Sequence, residues 1–231
     1  MYRAFPDGSL NWPVTSTFRL TAIYVNDLAG LAKSVAIGHA ARMYDSIEVI
    51  RADIAKRLGE AVSDRKSPMH TPVVATADAD ARVMVLRGWD AESGTLRFHT
   101  DARAPKCAVI GSGAPVGVVF YDKEAKIQLR LHGTGRIETN SAAADRAWED
   151  SSNFSRRCYL GEGPGAVSDE PTSGLPDWAE GEEPSDRELA PARENFAILL
   201  VDVQTMDWFH LANTGHRRAL LTADGGQWIA P

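Results

Sequence analysis

The sequence of 231 residues predicts a mainly β (α+β) protein, a barrel or sandwich with a few peripheral helices. Many short runs rich in β-branched and aromatic residues are separated by Asp, Gly and Lys-Glu turns. In one of them Ile127, Leu129 and Leu131 alternate with polar residues, which is the period of a strand with one apolar face. Few segments show helical spacing, so strands dominate the prediction.

The first ordered element is a helix that begins near Asp45. Asp45 is in the position of an N-cap with Glu48 as its capping-box partner, and Tyr44 with Val49 is in the position of a hydrophobic staple. Apolar residues then recur at three- and four-residue spacing, which predicts one buried stripe: Ile47, Ile50, Ile54, Leu58 and Val62.

Nine β-like runs follow this helix. They cover 72–76, 82–89, 95–100, 116–121, 125–138, 196–203, 206–211, 217–222 and 228–229. Two further short helices are predicted at Pro105–Ile110, where proline suits the first turn, and at 141–151.

Composition divides the chain into three parts. Residues 1–42 show no clear period and are interpreted as an N-terminal extension, either disordered or not native, ahead of a start at Met43. Residues 43–231 are predicted to form one domain. Within it, 161–194 holds ten acidic and only two basic residues together with many Gly and Pro, which indicates an exposed loop insertion.

Charge and cysteine content exclude several classes of protein. The 25 basic and 31 acidic residues give a net charge of −6, which disfavours general binding to nucleic acid. No apolar run approaches the roughly 18 residues that a membrane span needs. Two cysteines, without a His/Cys cluster, give neither a disulfide framework nor a metal site and favour a reducing, cytoplasmic setting.

A candidate anion site lies between Arg82 and Lys106. An arginine fork, a lysine, a hydroxyl at Thr100 and the start of a helix are the groups that hold a phosphate. Each of these residues alone is more often a solvated surface charge, and only their combination favours a phosphate pocket.

The order of motifs resembles the pyridoxamine 5′-phosphate oxidase family. The motifs are RVMVLR at 82–87, FHTD at 98–101, Lys106, IQLRLHG at 127–133, then Trp208 ten residues before Arg218 in GHRRAL, and a terminal QWIAP. The sequence RRCYLGEGPG, at the entrance to the acidic loop, resembles the broader flavin-binding branch of unknown substrate.

The resemblance implies an FMN-binding split β-barrel that forms a homodimer, with FMN at the subunit interface. By position, Arg82, Thr100 and Lys106 would hold the phosphate, and the backbone of 83–86 would follow the flavin ring. Trp208 and Arg218 would close the site from the other subunit. The full set of implied cofactor-binding residues is Arg82, Val83, Met84, Val85, Leu86, Arg87, His99, Thr100, Arg103, Lys106, Gln128, Trp208 and Arg218.

The implied activity is FMN-dependent oxidation of a small substrate by hydride transfer to flavin N5, with Arg87 and His216 orienting the substrate. Three departures bear on the substrate. Pro105 replaces a polar residue before Lys106, with Arg103 as a compensating donor, and Thr214 stands where an arginine is expected. The substrate-phosphate residues of the vitamin B6 enzymes are also not recognisable, with Arg146 and Ser151 as the remaining candidates.

Two alternatives remain open from the sequence. The first is a non-catalytic flavin- or haem-binding module of the same fold, since fold alone does not determine function. The second is a structural β-barrel whose arginines are surface charges.

Overall fold

The structure is a computed structural model that describes residues 44–213 and 215–231. The expectations for 1–42, for a start at Met43 and for Thr214 lie outside the described residues.

The first helix, α1 (Ile47–Ser63), begins one residue later than predicted. Its N-cap is Ser46, whose hydroxyl accepts a hydrogen bond from the backbone N–H of Val49 at 3.3 Å, so the assignment of Asp45 as N-cap was wrong. Val49 is 41% exposed and forms no staple with the buried Tyr44. The predicted apolar stripe is confirmed at its centre, where α1 buries Ile50, Ile54, Leu58 and Ala61.

In the described part of the chain, nine antiparallel strands form one sheet. They are β1 (Val73–Thr76), β2 (Ala81–Val83), β3 (Leu86–Asp90), β4 (Thr95–Asp101), β5 (Ala114–Asp122), β6 (Ile127–Glu138), β7 (Phe196–His210), β8 (Arg217–Thr222) and β9 (Gly225–Ile229). The order across the sheet is β2-β1-β5-β6-β7-β4-β3, and β7 also pairs with β8, which pairs with β9. The sheet curls into a half-barrel, as the mainly β prediction requires.

Strand β7 organises the sheet. The two strands predicted at 196–203 and 206–211 are one continuous strand of 15 residues. One edge of β7 pairs with β6 along nearly its whole length, while the other edge pairs first with β4 and then with β8. A single long strand therefore joins the two halves of the curled sheet.

A close backbone approach explains a glycine in β6. A β-bulge lies between His132 and Gly133, and an added Cβ at Gly133 would be 2.3 Å from the carbonyl oxygen of Asp202 on β7. The Gly-Thr-Gly sequence at 133–135 therefore belongs to strand packing and not to a phosphate-binding loop.

The run predicted as one strand at 82–89 is two strands. The backbone N–H of Met84 donates to Pro72 at 3.0 Å, and that of Leu86 donates to His70 at 2.9 Å. The chain passes from β2, which pairs with β1, to β3, which pairs with β4. Arg82 and Arg87 consequently lie on different strands, at the two ends of this short connection.

The remaining helices are short. They are α2 (Pro105–Ile110), α3 (Ala142–Glu149), α4 (Asn153–Arg156) and α5 (Asp186–Leu189), with 3₁₀ turns at Arg157–Tyr159, Asp177–Ala179 and Ala190–Asn195. The predicted helix at 141–151 corresponds to α3, with Ser141 as its N-cap. No helix in 44–213 or 215–231 is long and apolar enough to cross a bilayer.

The acidic insertion at 161–194 is largely exposed but contains local structure. Helix α5 begins with a capping box in which Ser185 and Glu188 exchange hydrogen bonds. Two arginines near the insertion hold it to the body: Arg103 donates to the carbonyl of Gly161, and Arg157 donates to that of Glu182.

Candidate functional site

The structure brings most of the predicted cofactor residues to one cavity of about 480 Å³, a volume within the usual range for ligand pockets. The cavity lies where the connection between β2 and β3 passes β4, α2 and the segment after α3. Its lining residues are Arg82, Val83, Met84, Val85, Arg87, His99, Thr100, Asp101, Lys106, Ser151, Phe154, Ser155, Arg157, Cys158 and Tyr159.

One end of the cavity carries the predicted phosphate-binding cations. The Arg82 guanidinium donates to the Val74 carbonyl at 3.3 Å and to the Thr76 hydroxyl at 3.1 Å, and it forms a salt bridge with Asp80. Burial lowers the pKa of Lys106 below its ordinary value, and the nearby charge of Arg82 lowers it further. Two cations held this close are stabilised when an anion binds between them.

Thr100 lies beside these cations on β4. Its side chain is buried and lies 4.0 Å from the Cys107 sulfur, and the Cys107 thiol donates to the Asp101 carbonyl at 3.1 Å. Arg103 does not line the cavity. Its guanidinium binds the Asp101 carboxylate with two hydrogen bonds, at 2.9 and 2.7 Å, so the proposed compensation for Pro105 is not seen.

The middle of the cavity is apolar. Val83, Met84 and Val85 line it, although Met84 is also part of the hydrophobic core, and Leu86 is fully buried in that core and does not line the cavity. That the backbone of 83–86 follows a flavin ring stays a prediction, with 83–85 in the lining of the cavity. A planar ring would therefore meet main chain and aliphatic side chains here.

His99 contributes a neutral imidazole to the cavity. Burial, with the charges of Arg87 and Arg97, lowers the pKa of His99 to about 3. Its ring meets Phe196 edge-on, with centroids 5.1 Å apart, and its Nε2 atom is buried without a hydrogen-bond partner among the described residues. His99 is therefore not a cation for the phosphate, but it can exchange a hydrogen bond with a ligand.

The wall formed by 151–159 was missed by sequence reasoning apart from Ser151. The Tyr159 ring packs edge-on against Phe196 at 5.1 Å, and burial raises the pKa of its phenol above the ordinary value. Arg157 lies over the ring of Phe154 at 3.7 Å. The signal was present in RRCYLGEGPG, which marked the branch of the family but was not assigned to the site. Arg146, the other candidate, is not among the lining residues.

Gln128, Arg218 and His216 do not reach this cavity in the same chain. Cross-strand pairing puts Gln128, Phe209 and Arg218 on the outer face of the sheet. His216 lies edge-on to Phe209, with centroids 5.6 Å apart, and lines a separate shallow cavity with Arg218. Arg87 and His216, the two predicted substrate-orienting residues, are thus apart within one subunit.

A buried carboxylate organises this outer face. Burial raises the pKa of Asp207, but hydrogen bonds from Arg218 and Arg130 outweigh it, and the pKa is lowered overall. Arg218 binds the Asp207 carboxylate at 2.9 and 2.7 Å, and Arg130 forms a further salt bridge with it. Asp207 therefore fixes the direction of both guanidinium groups.

The prediction that Trp208 closes the site from the other subunit was wrong. Trp208 is fully buried, with its ring 4.8 Å from that of Tyr44 in the core. The alternation of β7 sends Asp207 and Phe209 outward and Trp208 inward. Its indole has a structural role in the barrel interior.

The donor set of the cavity fits FMN. A phosphate group requires cations and a hydroxyl, which Arg82, Lys106 and Thr100 supply at one end, and a flavin ring requires an apolar wall, which 83–85 supplies. Among residues 44–213 and 215–231, no group of three or more His, Cys, Asp or Glu side chains is placed to hold a metal ion.

Comparisons with known proteins support this fit. Residues 52–139 match the family model for the FMN-binding domain of pyridoxamine 5′-phosphate oxidase. The match runs from within α1 to the end of β6 and includes Arg82, Thr100 and Lys106, the residues predicted to bind the phosphate. No protein of curated function matches the chain by sequence.

Two solved structures share the fold. A pyridoxamine 5′-phosphate oxidase-related, FMN-binding protein from Nostoc punctiforme is 19% identical, with a TM-score of 0.61 over 84% of this chain and 100% of its own. PhzG from Burkholderia lata, solved with tetrahydrophenazine-1-carboxylic acid, is 13% identical, with a TM-score of 0.54 over 86% of this chain and 100% of its own. The predicted split-barrel fold is therefore confirmed. Residues 52–139 thus match an FMN-binding domain of the pyridoxamine 5′-phosphate oxidase family, and FMN is the cofactor of the matched domain.

Proposed function

We propose that the protein is an FMN-dependent oxidoreductase that acts on a small molecule. The observation that carries this proposal is the single cavity that joins a cationic end, an apolar wall and a second polar wall at 151–159. The first two features are needed to hold FMN, and the third offers polar groups to another molecule beside the flavin. Bound FMN would supply a hydride acceptor at N5.

In this scheme the residues of the chain would bind FMN and orient the substrate. Arg82 and Lys106 would hold the phosphate by charge, and Thr100 would add a hydroxyl. The main chain of 83–86 would lie along the flavin ring. Arg87, at the end of that stretch, would face the substrate, because it lines the cavity beyond the apolar wall.

We propose that two subunits complete each site. The outer face of the sheet carries a row of cross-strand neighbours, Val83, Val73 and Val119, which are 64%, 39% and 38% exposed. The same face carries Gln128 and Arg218. An exposed apolar row beside fixed polar groups is typical of a protein interface. A two-fold dimer through this face would bring the partner's Gln128, Arg218 and His216 toward the flavin.

One observation favours a second candidate, a non-catalytic flavin-binding module of the same fold. His99 has a pKa of about 3, and the pKa of Tyr159 is raised, so neither group changes its protonation near neutral pH. Asp101, the remaining acid of the lining, is held by Arg103. General acid–base chemistry would then depend on His216 of the partner subunit.

Anaerobic reduction of the FMN-loaded protein separates the two candidates. NADH, NADPH and pyridoxamine 5′-phosphate are added in turn, and the visible absorbance of the flavin is followed. If any of these donors abolishes the visible absorbance of the flavin, and the absorbance returns when air is admitted, the result supports the oxidoreductase. Bound flavin that none of them reduces, while dithionite does reduce it, contradicts a role with these donors and favours the binding module.

A further inference from the structure

Asp101 is an acidic residue that lies among groups suited to bind an anion. It follows Thr100 directly at the end of β4, and the turn after it leads to Lys106 in the first turn of α2. Among the described residues that line the cavity Asp101 is the one carboxylate, and its side chain is only 8% exposed. A carboxylate at this end of the cavity would repel a phosphate unless its charge is neutralised.

The turn at 101–104 fixes Asp101 beside the residues predicted to bind the phosphate. The Asp101 carbonyl oxygen accepts hydrogen bonds from the N–H of Ala104 and from the thiol of Cys107, both at 3.1 Å. The N–H of Arg103 donates to Asp101 Oδ1 at 2.8 Å, which forms an Asx turn. Burial lowers the pKa of Lys106 and the charge of Asp101 acts against this effect, so the two side chains lie within electrostatic range of each other.

Arg103 neutralises Asp101 from outside the cavity. Its Nε donates to Asp101 Oδ1 at 2.9 Å and its Nη2 donates to Oδ2 at 2.7 Å, so the guanidinium binds both oxygens of the carboxylate. Arg103 is not among the residues that line the cavity, and its side chain is 34% exposed. The ion pair therefore presents little net charge to an anion in the cavity.

Contacts with the acidic insertion hold Arg103 against Asp101. Its Nη2 also donates to the Gly161 carbonyl at 3.0 Å, and a Cβ at Gly163 would lie 3.6 Å from the Cβ of Arg103. The neighbouring N–H of Ala102 donates to the Asn195 carbonyl at 2.8 Å. The chain at both ends of the insertion is thus bonded to this turn, and the guanidinium is oriented before any ligand binds.

We infer that Arg103 is a positioning residue for the FMN phosphate, which acts by neutralising Asp101 and so leaves Arg82 and Lys106 to the ligand. Without Arg103, the Asp101 carboxylate would repel the phosphate or bind the Lys106 ammonium, and either effect would weaken FMN binding. This inference rests on the proposed function, because it assigns the FMN phosphate to this end of the cavity.

The test compares FMN with riboflavin, which has the same ring and ribityl chain but no phosphate. Dissociation constants for the full chain and its variants are measured by quenching of flavin fluorescence. Arg103→Gln should weaken FMN binding at least about tenfold, the size of one partly buried charge interaction, and should leave riboflavin binding unchanged. A purely structural role of Arg103 would not separate the two flavins in this way.

Neutralising Asp101 should restore the affinity that is lost with Arg103. Asp101→Asn keeps the oxygen that accepts the N–H of residue 103 but removes the charge, so Asp101→Asn/Arg103→Gln should bind FMN within about threefold of wild type. Arg103→Met keeps a long side chain against Gly163 and should behave like Arg103→Gln, so the test survives a fold defect of the glutamine variant. Arg187→Gln, which removes an exposed charge of the insertion outside the cavity, is the matched control and should bind FMN like wild type.

Three results would overturn the inference. They are FMN binding by Arg103→Gln and Arg103→Met that equals that of wild type, an equal loss of affinity for both flavins, and a loss that Asp101→Asn does not restore. The last result would mean that Arg103 acts through the insertion and not through Asp101. A wild type that binds FMN no more tightly than riboflavin would instead contradict the phosphate-binding end itself, and with it both the proposed function and the inference.

Discussion

Lys106 and Arg82, the two cations proposed to hold the FMN phosphate, are held in different ways. Arg82 is fixed by Asp80, Thr76 and the Val74 carbonyl, whereas Lys106 makes no salt bridge within the described residues. Burial and Arg82 make the charged form of Lys106 less favourable, which is why its pKa is lowered. A bound phosphate reverses this effect, because the new opposite charge favours the protonated amine.

We therefore predict that FMN affinity falls at alkaline pH. The loss begins below pH 10.5, the ordinary lysine value, since the pKa of Lys106 in the free protein is lowered. Lys106→Arg stays charged throughout and should flatten this dependence. The measurement is the dissociation constant of FMN by fluorescence quenching across neutral to alkaline pH. Identical pH profiles for wild type and Lys106→Arg would contradict the assignment.

The ion pairs of Asp207 with Arg130 and Arg218 lead us to predict that the stability of the fold also depends on pH. The folded-state pKa of Asp207 is lowered, so its contribution is present above the unfolded value of about 3.9 and is lost as the pH falls through the folded value. Asp207→Asn should lower the melting temperature at neutral pH. The difference from wild type should shrink as the pH falls below about 4, and a difference that stays constant with pH would argue against the ion pairs.

At the scale of elements, β6 and β7 depend on a close approach at the bulge. A Cβ at Gly133 would be 2.3 Å from the Asp202 carbonyl oxygen, whereas a Cβ at Gly117 on β5 meets nothing closer than Ala75 at 4.0 Å. We predict that Gly133→Ala lowers the free energy of unfolding by about 1–3 kcal/mol. Gly117→Ala should be close to neutral. Urea denaturation measures the free energy of unfolding of both variants. Equal values for Gly133→Ala and Gly117→Ala would contradict the packing argument.

The elements also show where sequence reasoning succeeds and where it stops. The stripe of α1 and the alternation of β6 follow from apolar spacing alone, so both were predicted from sequence. The break at Met84 was invisible, because the apolar run continues through it while its hydrogen bonds change partner from β1 to Pro72 and His70. Where a strand ends inside a continuous apolar run depends on tertiary contacts, which the local sequence does not show.

The same limits apply to the site. The cavity end formed by Arg82, Thr100 and Lys106 was predicted because arginine, lysine and hydroxyl side chains in combination are typical phosphate ligands. The wall around Arg157 was missed, because α4 and the turn after it are too short to show a period. Trp208 was misplaced because its role was transferred by position, although the alternation of β7 directs it into the core.

At the scale of the whole molecule, the predicted site residues fall into two groups. One group lines the cavity, and the other, Gln128, Arg218 and His216, lies outside it. Within one subunit Gln128 and Arg218 lie on the outer sheet face and do not line the cavity, whereas the exposed apolar row on that face reaches the cavity at Val83. The proposed two-fold dimer would bring these two groups of residues together.

We predict that Val119→Arg weakens both dimer formation and FMN binding, since it buries a charge in the proposed interface. Val167→Arg, at a position 94% exposed in the acidic insertion, should change neither property and serves as the control. Analytical ultracentrifugation gives the mass of each variant, and flavin titration gives its affinity. A Val119→Arg protein that remains dimeric, or a wild type that is monomeric with full FMN affinity, would refute this interface.

The most direct measurement is a titration of the full chain with FMN, followed by quenching of flavin fluorescence. Wild type should bind saturably, and Arg82→Ala/Lys106→Ala should bind at least about 100-fold more weakly, because two charged contacts to the phosphate are lost. Lys56→Ala/Arg65→Ala removes two exposed charges elsewhere and should match wild type. An Arg82→Ala/Lys106→Ala protein that is folded and binds FMN as tightly as wild type would contradict the account.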